Sequence, residues 1–174
     1  MTDIGAYLRD VPDFPKKGII FKDITPLLAS YEALSATLDK LSEPYVGKGV
    51  QYVAGIESRG FIFGAPLAER LEAGFVPIRK PGKLPAKTIS QSYELEYGTD
   101  SVEVHADAFA AGAKVLMVDD LLATGGTMAA ACRLVEKLDG KIVGVEFVVE
   151  LCFLNGRDKL SGYEVHSLVQ VSGE

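Results

Sequence analysis

The chain has 174 residues, 48% of them apolar and 24% charged, enough for one complete globular unit with a full core and too short for two of ordinary size. A net charge of −6 weighs against a general nucleic-acid binder, and no apolar stretch approaches the ~20 residues that cross a bilayer. Cys132 and Cys152 are too few for a disulfide framework, so a reducing compartment, the cytoplasm, is expected.

The chain opens on "MTDIGAYLRDVPDFP", with acids and prolines where a signal peptide needs a basic start and an apolar centre. "KKGIIFKD" follows as an extended apolar segment with one aromatic, and its residues alone read as a core strand. In "ASYEALSATLDKLSE", Leu34, Leu38 and Leu41 recur at helical spacing behind a possible N-cap, Ser30. "VQYVAGIE" reads as a strand, "GFIFGAPLAERLEAG" as a helix ending before Gly74, and "FVPIRK" as a second strand.

Between the first of these strands and its helix stands "ESRG". There Ser58 N–H and Arg59 can grip a pyrophosphate, although a solvated loop arginine is an equal reading of the residues. "RKPGKLPAK" then sets Arg79, Lys80, Lys83 and Lys87 on a loop. Such a run is usually a solvated face.

"TISQSYELEYGTDSVEVH" breaks the rhythm. Tyr93, Leu95 and Tyr97 alternate with polar residues, as do Val102 and Val104, which predicts an antiparallel hairpin turning at "GTDS". Glu94 and Glu96 share its polar face. "KVLMVD" and "KIVGVEFVVEL" are near-continuous apolar runs, as in parallel strands covered on both sides, and "TMAAACRLVEKLDG" between them carries a helical stripe. Strands alternating with helices predict a doubly wound α/β fold with a mainly parallel sheet, flanking helices and an inserted hairpin. His105 and His166 stand alone and suggest no metal site.

The densest chemistry lies in "VLMVDDLLATGGT", residues 115–127. In open α/β sheets ligands bind beyond the carboxyl ends of strands. There the loop Ala123, Thr124, Gly125, Gly126 and Thr127 can converge backbone N–H groups on a phosphate, at the positive end of the next helix. Neither a P-loop lysine nor a G-x-G-x-x-G fingerprint is present. Asp119 and Asp120 would repel a phosphate, but as acceptors they suit the vicinal hydroxyls of a ribose. A sugar with a 5′-phosphate fits the pair.

This stretch resembles the phosphoribosyl pyrophosphate signature of the type I phosphoribosyltransferases. The likeness extends through "DFPKKGIIFKDITPLL", "GIESRGFIFGAPLA", "RKPGKLP" and "SYELEYG", in the order of the adenine-specific purine branch. It implies one phosphoribosyltransferase domain over residues 1–174, with a hood-like N-terminal segment over about 1–35 and a flexible hairpin over about 84–105. The implied reaction joins adenine to phosphoribosyl pyrophosphate, giving AMP and pyrophosphate, with Mg²⁺ carried on the pyrophosphate and no metal site made by the protein. The resemblance assigns pyrophosphate to Ser58, Arg59, Arg79, Lys80 and Lys83, with the peptide before the serine taking unusual geometry. It assigns adenine to the backbone of Ile20 and Lys22, the ring of Phe21 and the side chain of Leu121. Glu96 matches the catalytic glutamate, in keeping with its place on the hairpin's polar face. A homodimer is implied, with part of the basic loop crossing its interface, and neither nucleic acid nor membrane is a partner. Glu57 and Lys22 stand where relatives often carry another acid or an arginine, and both keep the charge. A hypoxanthine or xanthine enzyme remains an alternative, as does a purine sensor on the same fold.

Overall fold

In a computed structural model the described residues are 2–95 and 98–173. A short ribbon comes first, β1 (Arg9–Pro12) against β2 (Ile20–Asp23), antiparallel. Helices α1 (Thr25–Ala29) and α2 (Tyr31–Ser42) follow. The Ser30 side chain accepts a hydrogen bond from Ala33 N–H, a cap worth about 1 kcal/mol. The main body then runs β3 (Tyr52–Ile56), α3 (Gly60–Arg70) and β4 (Gly74–Ile78). After it come a hairpin, β5 (Thr88–Glu94) with β6 (Thr99–His105), then β7 (Lys114–Leu122), α4 (Gly126–Lys137), β8 (Lys141–Leu151) and β9 (Val165–Val171).

The five main strands form one parallel sheet in the order β4-β3-β7-β8-β9. Period-two alternation divides its side chains between two cores. Val115, Met117, Val145 and Phe147 face α4 and the hairpin, while Val53, Leu116, Val118 and Val148 face α2 and α3. From β3 the chain moves outward to β4, and β7 then pairs on the other side of β3. The order therefore reverses between β3 and β7, and the crevice at their carboxyl ends is where a doubly wound sheet holds its ligand. None of the described helices is long and apolar enough to cross a membrane.

Three expectations need correction. "KKGIIFKD" is not a core strand: β2 pairs only with β1 in a two-stranded ribbon, and Ile20 is 40% exposed. The hairpin turns earlier than "GTDS", since Glu94 already pairs with Thr99, and Leu95 N–H donates to the Gly98 carbonyl. It forms a separate sheet, with Tyr93, Val102 and Val104 buried in the core that α4 shares. The strand expected at "KVLMVD" does not stop at Asp119: β7 runs on through Asp120 to Leu122 because the 11-residue β8 pairs with it past Asp119↔Phe147 to Leu122↔Glu150.

Candidate active site

The crevice between β3 and β7 brings "ESRG" against the acid pair. A Cβ on Gly60 would lie 2.8 Å from Asp119 Oδ1, so only glycine lets the start of α3 approach this closely. Asp119 Oδ1 accepts from Asp120 N–H at 2.9 Å. Asp120 is 4% exposed, and its Oδ2 lies 3.0 Å from Arg59 Nε. Even so, Oδ2 is the one buried side-chain polar atom among the described residues without a well-formed hydrogen bond. Buried acceptors are normally satisfied, so this oxygen is poised for a donor. Burial pushes the Asp119 carboxyl well above the ordinary aspartate value, and the neighbouring Asp120 charge adds to this. Burial raises Asp120 as well, against the pull of Arg59.

Next to the acids, Leu121 to Thr127 curve round a cavity of about 90 Å³, sized for a phosphate rather than a nucleoside. Gly125 has φ +77°, and a Cβ there would sit 2.3 Å from the Gly156 carbonyl oxygen. The loop is thus pressed backbone to backbone on the 3-10 turn Gly156–Leu160. Arg157 braces that turn, donating from Nε and Nη2 to the Glu150 carboxylate at 2.7 Å each and from Nη1 to the Val165 carbonyl. Thr124 is exposed, Ala123 and Thr127 are half-buried, and α4 begins at Gly126. A larger cavity of about 460 Å³, lined by residues that include Tyr45, Val46 and Arg70, lies apart from these loops. Volume does not mark the site. The small cradle has Asp119 and the helix terminus.

The basic loop meets the other side of "ESRG" through Glu57. Its carboxylate accepts from Arg79 Nη2 and Lys83 Nζ, each at 3.2 Å, and from Lys80 N–H. Burial alone would raise this carboxyl, but the Lys80 N–H, Lys83 and Arg79 together hold it below the usual glutamate value. The Lys80 ammonium turns to the hairpin, 2.6 Å from the Tyr93 hydroxyl and bonded to Asp100. Ser58 is exposed, and the Glu57–Ser58 peptide is cis. Sequence reasoning missed Glu57 as the hub of these cations. No local pattern marks it, because Glu57 is set beside Arg79 by the register that pairs Ile56 with Ile78 across the sheet.

Of the expected base-binding residues, Phe21 is tied to the crevice. Its ring centre lies 5.3 Å from the Arg59 guanidinium and 5.2 Å from the Phe14 ring, edge to face. Ile20 precedes it in β2, and the Lys22 ammonium pairs with Asp10 at 2.6 Å. Leu121 is half-buried and lines the phosphate-sized cavity. Glu96 and Tyr97 lie outside the described residues. Glu94 is exposed, and its carbonyl lies 3.6 Å from where a Gly126 Cβ would be, so β5 ends beside the start of α4. Among the described residues no three His, Cys, Asp or Glu side chains group to hold a metal. His166 is not isolated, as expected from sequence, but lies 3.3 Å from the buried Glu146 and 3.2 Å from Glu164.

The model of the phosphoribosyl transferase domain matches residues 22–171. The chain is 57% identical over 168 residues to the adenine phosphoribosyltransferase of Halothermothrix orenii, covering 97% of this chain and 99% of that one. Its fold is similar to the crystal structure of adenine phosphoribosyltransferase from Thermoanaerobacter pseudethanolicus, with a TM-score of 0.93 at 54% identity over 97% of this chain and 98% of that one. It is also similar to the Saccharomyces cerevisiae enzyme solved with adenine and an imino-altritol bisphosphate, with a TM-score of 0.88 at 43% identity over 95% and 96% of the two chains.

Proposed function

The chain belongs to the phosphoribosyl transferase family, and on that premise we propose that it transfers the 5-phosphoribosyl group of phosphoribosyl pyrophosphate to adenine, giving AMP and pyrophosphate. One observation carries this reading. The buried, under-bonded Asp120 Oδ2 faces Arg59, its neighbour Asp119 lines the small cavity of the glycine loop, and Arg59 in turn touches Phe21. Sites for a phosphate, a sugar and a flat base therefore adjoin one another.

The ribose hydroxyls donate to Asp119 and Asp120, and Ala123, Thr124, Gly125, Gly126 and Thr127 hold the 5′-phosphate. Ser58, Arg59, Arg79, Lys80 and Lys83 receive the leaving pyrophosphate. Adenine stacks on Phe21 between β2 and Leu121, reading the backbone of Ile20 and Lys22. Displacement at the anomeric carbon passes through an oxocarbenium-like state, so the chain's work is to align both reactants and spread the negative charge of the leaving group. Glu96 takes up the proton that the attacking base nitrogen loses, and Glu94 does not. That β5 ends beside the start of α4 supports a lid role for the hairpin, which spans about 84–105, while residues 1–35 act as the hood over the base.

Mg²⁺ neutralises the pyrophosphate when bound. Asp119 and Asp120 would be the acids beside such an ion, which the substrate would bring on its pyrophosphate, and the ion would offset the charge of the leaving group. Residues 1–174 work as one domain within a homodimer in the cytoplasm. The free cysteines suit a reducing compartment.

The deciding experiment incubates the protein with phosphoribosyl pyrophosphate, Mg²⁺ and each purine base in turn. AMP from adenine, with little product from hypoxanthine or xanthine, is expected. If the Ile20 carbonyl faces position 6, adenine's amino group donates to it while hypoxanthine's carbonyl is repelled, a contrast worth about 10⁴-fold. Comparable efficiency with hypoxanthine overturns the adenine assignment and leaves the family standing.

A further inference from the structure

The 3-10 turn Gly156–Leu160 supports the phosphate loop by contact alone. A Cβ on Gly125 would lie 2.3 Å from the Gly156 carbonyl oxygen. One on Gly156 would lie 2.3 Å from the Ala123 carbonyl oxygen and 2.9 Å from Leu122 Cδ1. Two glycines thus let two backbones meet, and among the described residues no backbone hydrogen bond joins them. Close-packed groups pass a displacement on rather than absorb it, so the loop sits where the turn puts it.

The two ends of the turn are held differently. Leu160, 1% exposed, anchors the far end in the core that α4 shares. At the near end, beside Gly156, the hold is Arg157. Its Nε and Nη2 donate to the two oxygens of Glu150, Nη1 donates to the Val165 carbonyl at 2.7 Å, and Nη2 also reaches the Ser167 hydroxyl at 3.0 Å. That hydroxyl donates in turn to Glu150 Oε2. These bonds, Arg157 first, hold the Glu150 carboxyl below the usual glutamate value against its burial. Glu150 also stands beside the loop's other root, for it is the register partner of Leu122, the last residue of β7. One buried carboxylate therefore fixes the turn under the loop next to the strand that leads into it.

We propose that Arg157 is a positioning residue for the 5′-phosphate: through Gly156 it sets where the backbone of Ala123 to Thr127 stands, and so governs affinity for 5′-phosphorylated ligands without touching them. This rests on the assignment of the glycine loop to that phosphate. N–H donors weaken steeply when misaligned, so a small shift of the turn is felt at the anion. The planar guanidinium spans three partners at once, which a lysine ammonium cannot do from one place. The basic loop assigned to pyrophosphate is bonded to Glu57 and to the hairpin instead, and is independent of this bracket.

The test uses the whole protein with Mg²⁺ and three probes, AMP, ribose 5-phosphate and inorganic pyrophosphate, titrated by calorimetry. Arg157→Lys keeps the charge and loses the fork. Arg157→Leu combined with Glu150→Leu removes the pair without stranding a buried charge, and keeps the net charge of the chain. Both proteins should bind AMP and ribose 5-phosphate about tenfold or more weakly, the scale of a misaligned hydrogen bond to a charged group, with pyrophosphate little changed. The ³¹P resonance of bound AMP should move toward its free position, a signature that a general loss of stability does not produce. If the double variant does not fold, Arg157→Lys decides by the same comparison. Folded variants with wild-type affinity for AMP, or with equal losses for all three probes, overturn the positioning role alone. A wild type that binds pyrophosphate but neither phosphorylated sugar overturns the assignment of the glycine loop and the positioning role with it.

Discussion

The Arg59 guanidinium lies 5.3 Å from the centre of the Phe21 ring while its Nε stands 3.0 Å from Asp120 Oδ2. The residues belong to different units, Phe21 to the N-terminal ribbon and Arg59 to the turn that opens α3. A planar, delocalised cation can stack on the ring and address a carboxylate at once, which a lysine ammonium cannot. Arg59→Lys should therefore weaken adenine as well as phosphoribosyl pyrophosphate, the latter by about 1.5–3 kcal/mol, the worth of a hydrogen bond to a charged group. Separate titrations with the two ligands check this. Unchanged adenine affinity would show that the contact with Phe21 plays no part in seating the base.

The two glycines of the phosphate loop should not respond alike. A Cβ on Gly125 meets the Gly156 carbonyl at 2.3 Å on a backbone with φ +77°, whereas on Gly126 its nearest neighbour is a Tyr93 ring carbon at 3.4 Å. Gly125→Ala should lower thermal stability and abolish phosphoribosyl pyrophosphate binding together, because the loop cannot stay docked on its 3-10 turn. Gly126→Ala should fold normally and bind more weakly. Thermal melts and ligand titrations of both variants decide it, and equal behaviour would sink the backbone-contact argument.

Removing the carboxylate of Glu96 should remove the proton acceptor while leaving the binding groups in place. Glu96→Gln should lower turnover by roughly 10²–10⁴ with KM values little changed, the usual range for a lost general acid or base. Glu94→Gln should cost little. Steady-state kinetics on the pair tests the assignment, and a larger loss at Glu94 would move the role there.

A pH dependence should come from outside the site. Glu146 is 1% exposed in β8, accepts from the Tyr45 hydroxyl at 2.7 Å and lies 3.3 Å from His166 Nδ1, which also neighbours Glu164. Burial pushes its carboxyl from the ordinary 4.5 up to about 7, with Tyr45 and His166 resisting. Below 4.5 both folded and unfolded chains hold the proton, and the group has no effect. Between 4.5 and 7 the unfolded chain releases it while the folded one keeps it, so this group's contribution to stability falls as pH rises, by about 1.4 kcal/mol per pH unit at most. Above 7 the penalty is constant. Glu146→Gln should flatten that decline and be at least as stable as the wild type at pH 7.5. Melting curves that run parallel across the window would contradict it.

The alternation of strands and helices, the Ser30 cap and the glycine loop before α4 were all legible in the sequence, because each depends on neighbours within a few residues. Apolar periodicity, a capping hydroxyl and a glycine pair act locally, and local physics is written in local order. The tertiary structure decided what lies between distant segments. Asp119 and Asp120 fall inside β7 because β8 is long enough to keep pairing with it. Glu57 gathers Arg79 and Lys83 because parallel register sets the residues after Ile56 and Ile78 side by side. Phe21 leaves the core for a two-stranded ribbon, where it meets a guanidinium 38 positions later in the chain. Lys80 goes to Asp100, and Gly125 rests on Gly156, through contacts that no periodicity announces. A buried acid such as Glu146 looks out of place in an apolar run until Tyr45, 101 residues away, supplies its hydrogen bond. The sequence named the chemistry of the crevice, and chain crossing and strand register decided which charges would share it.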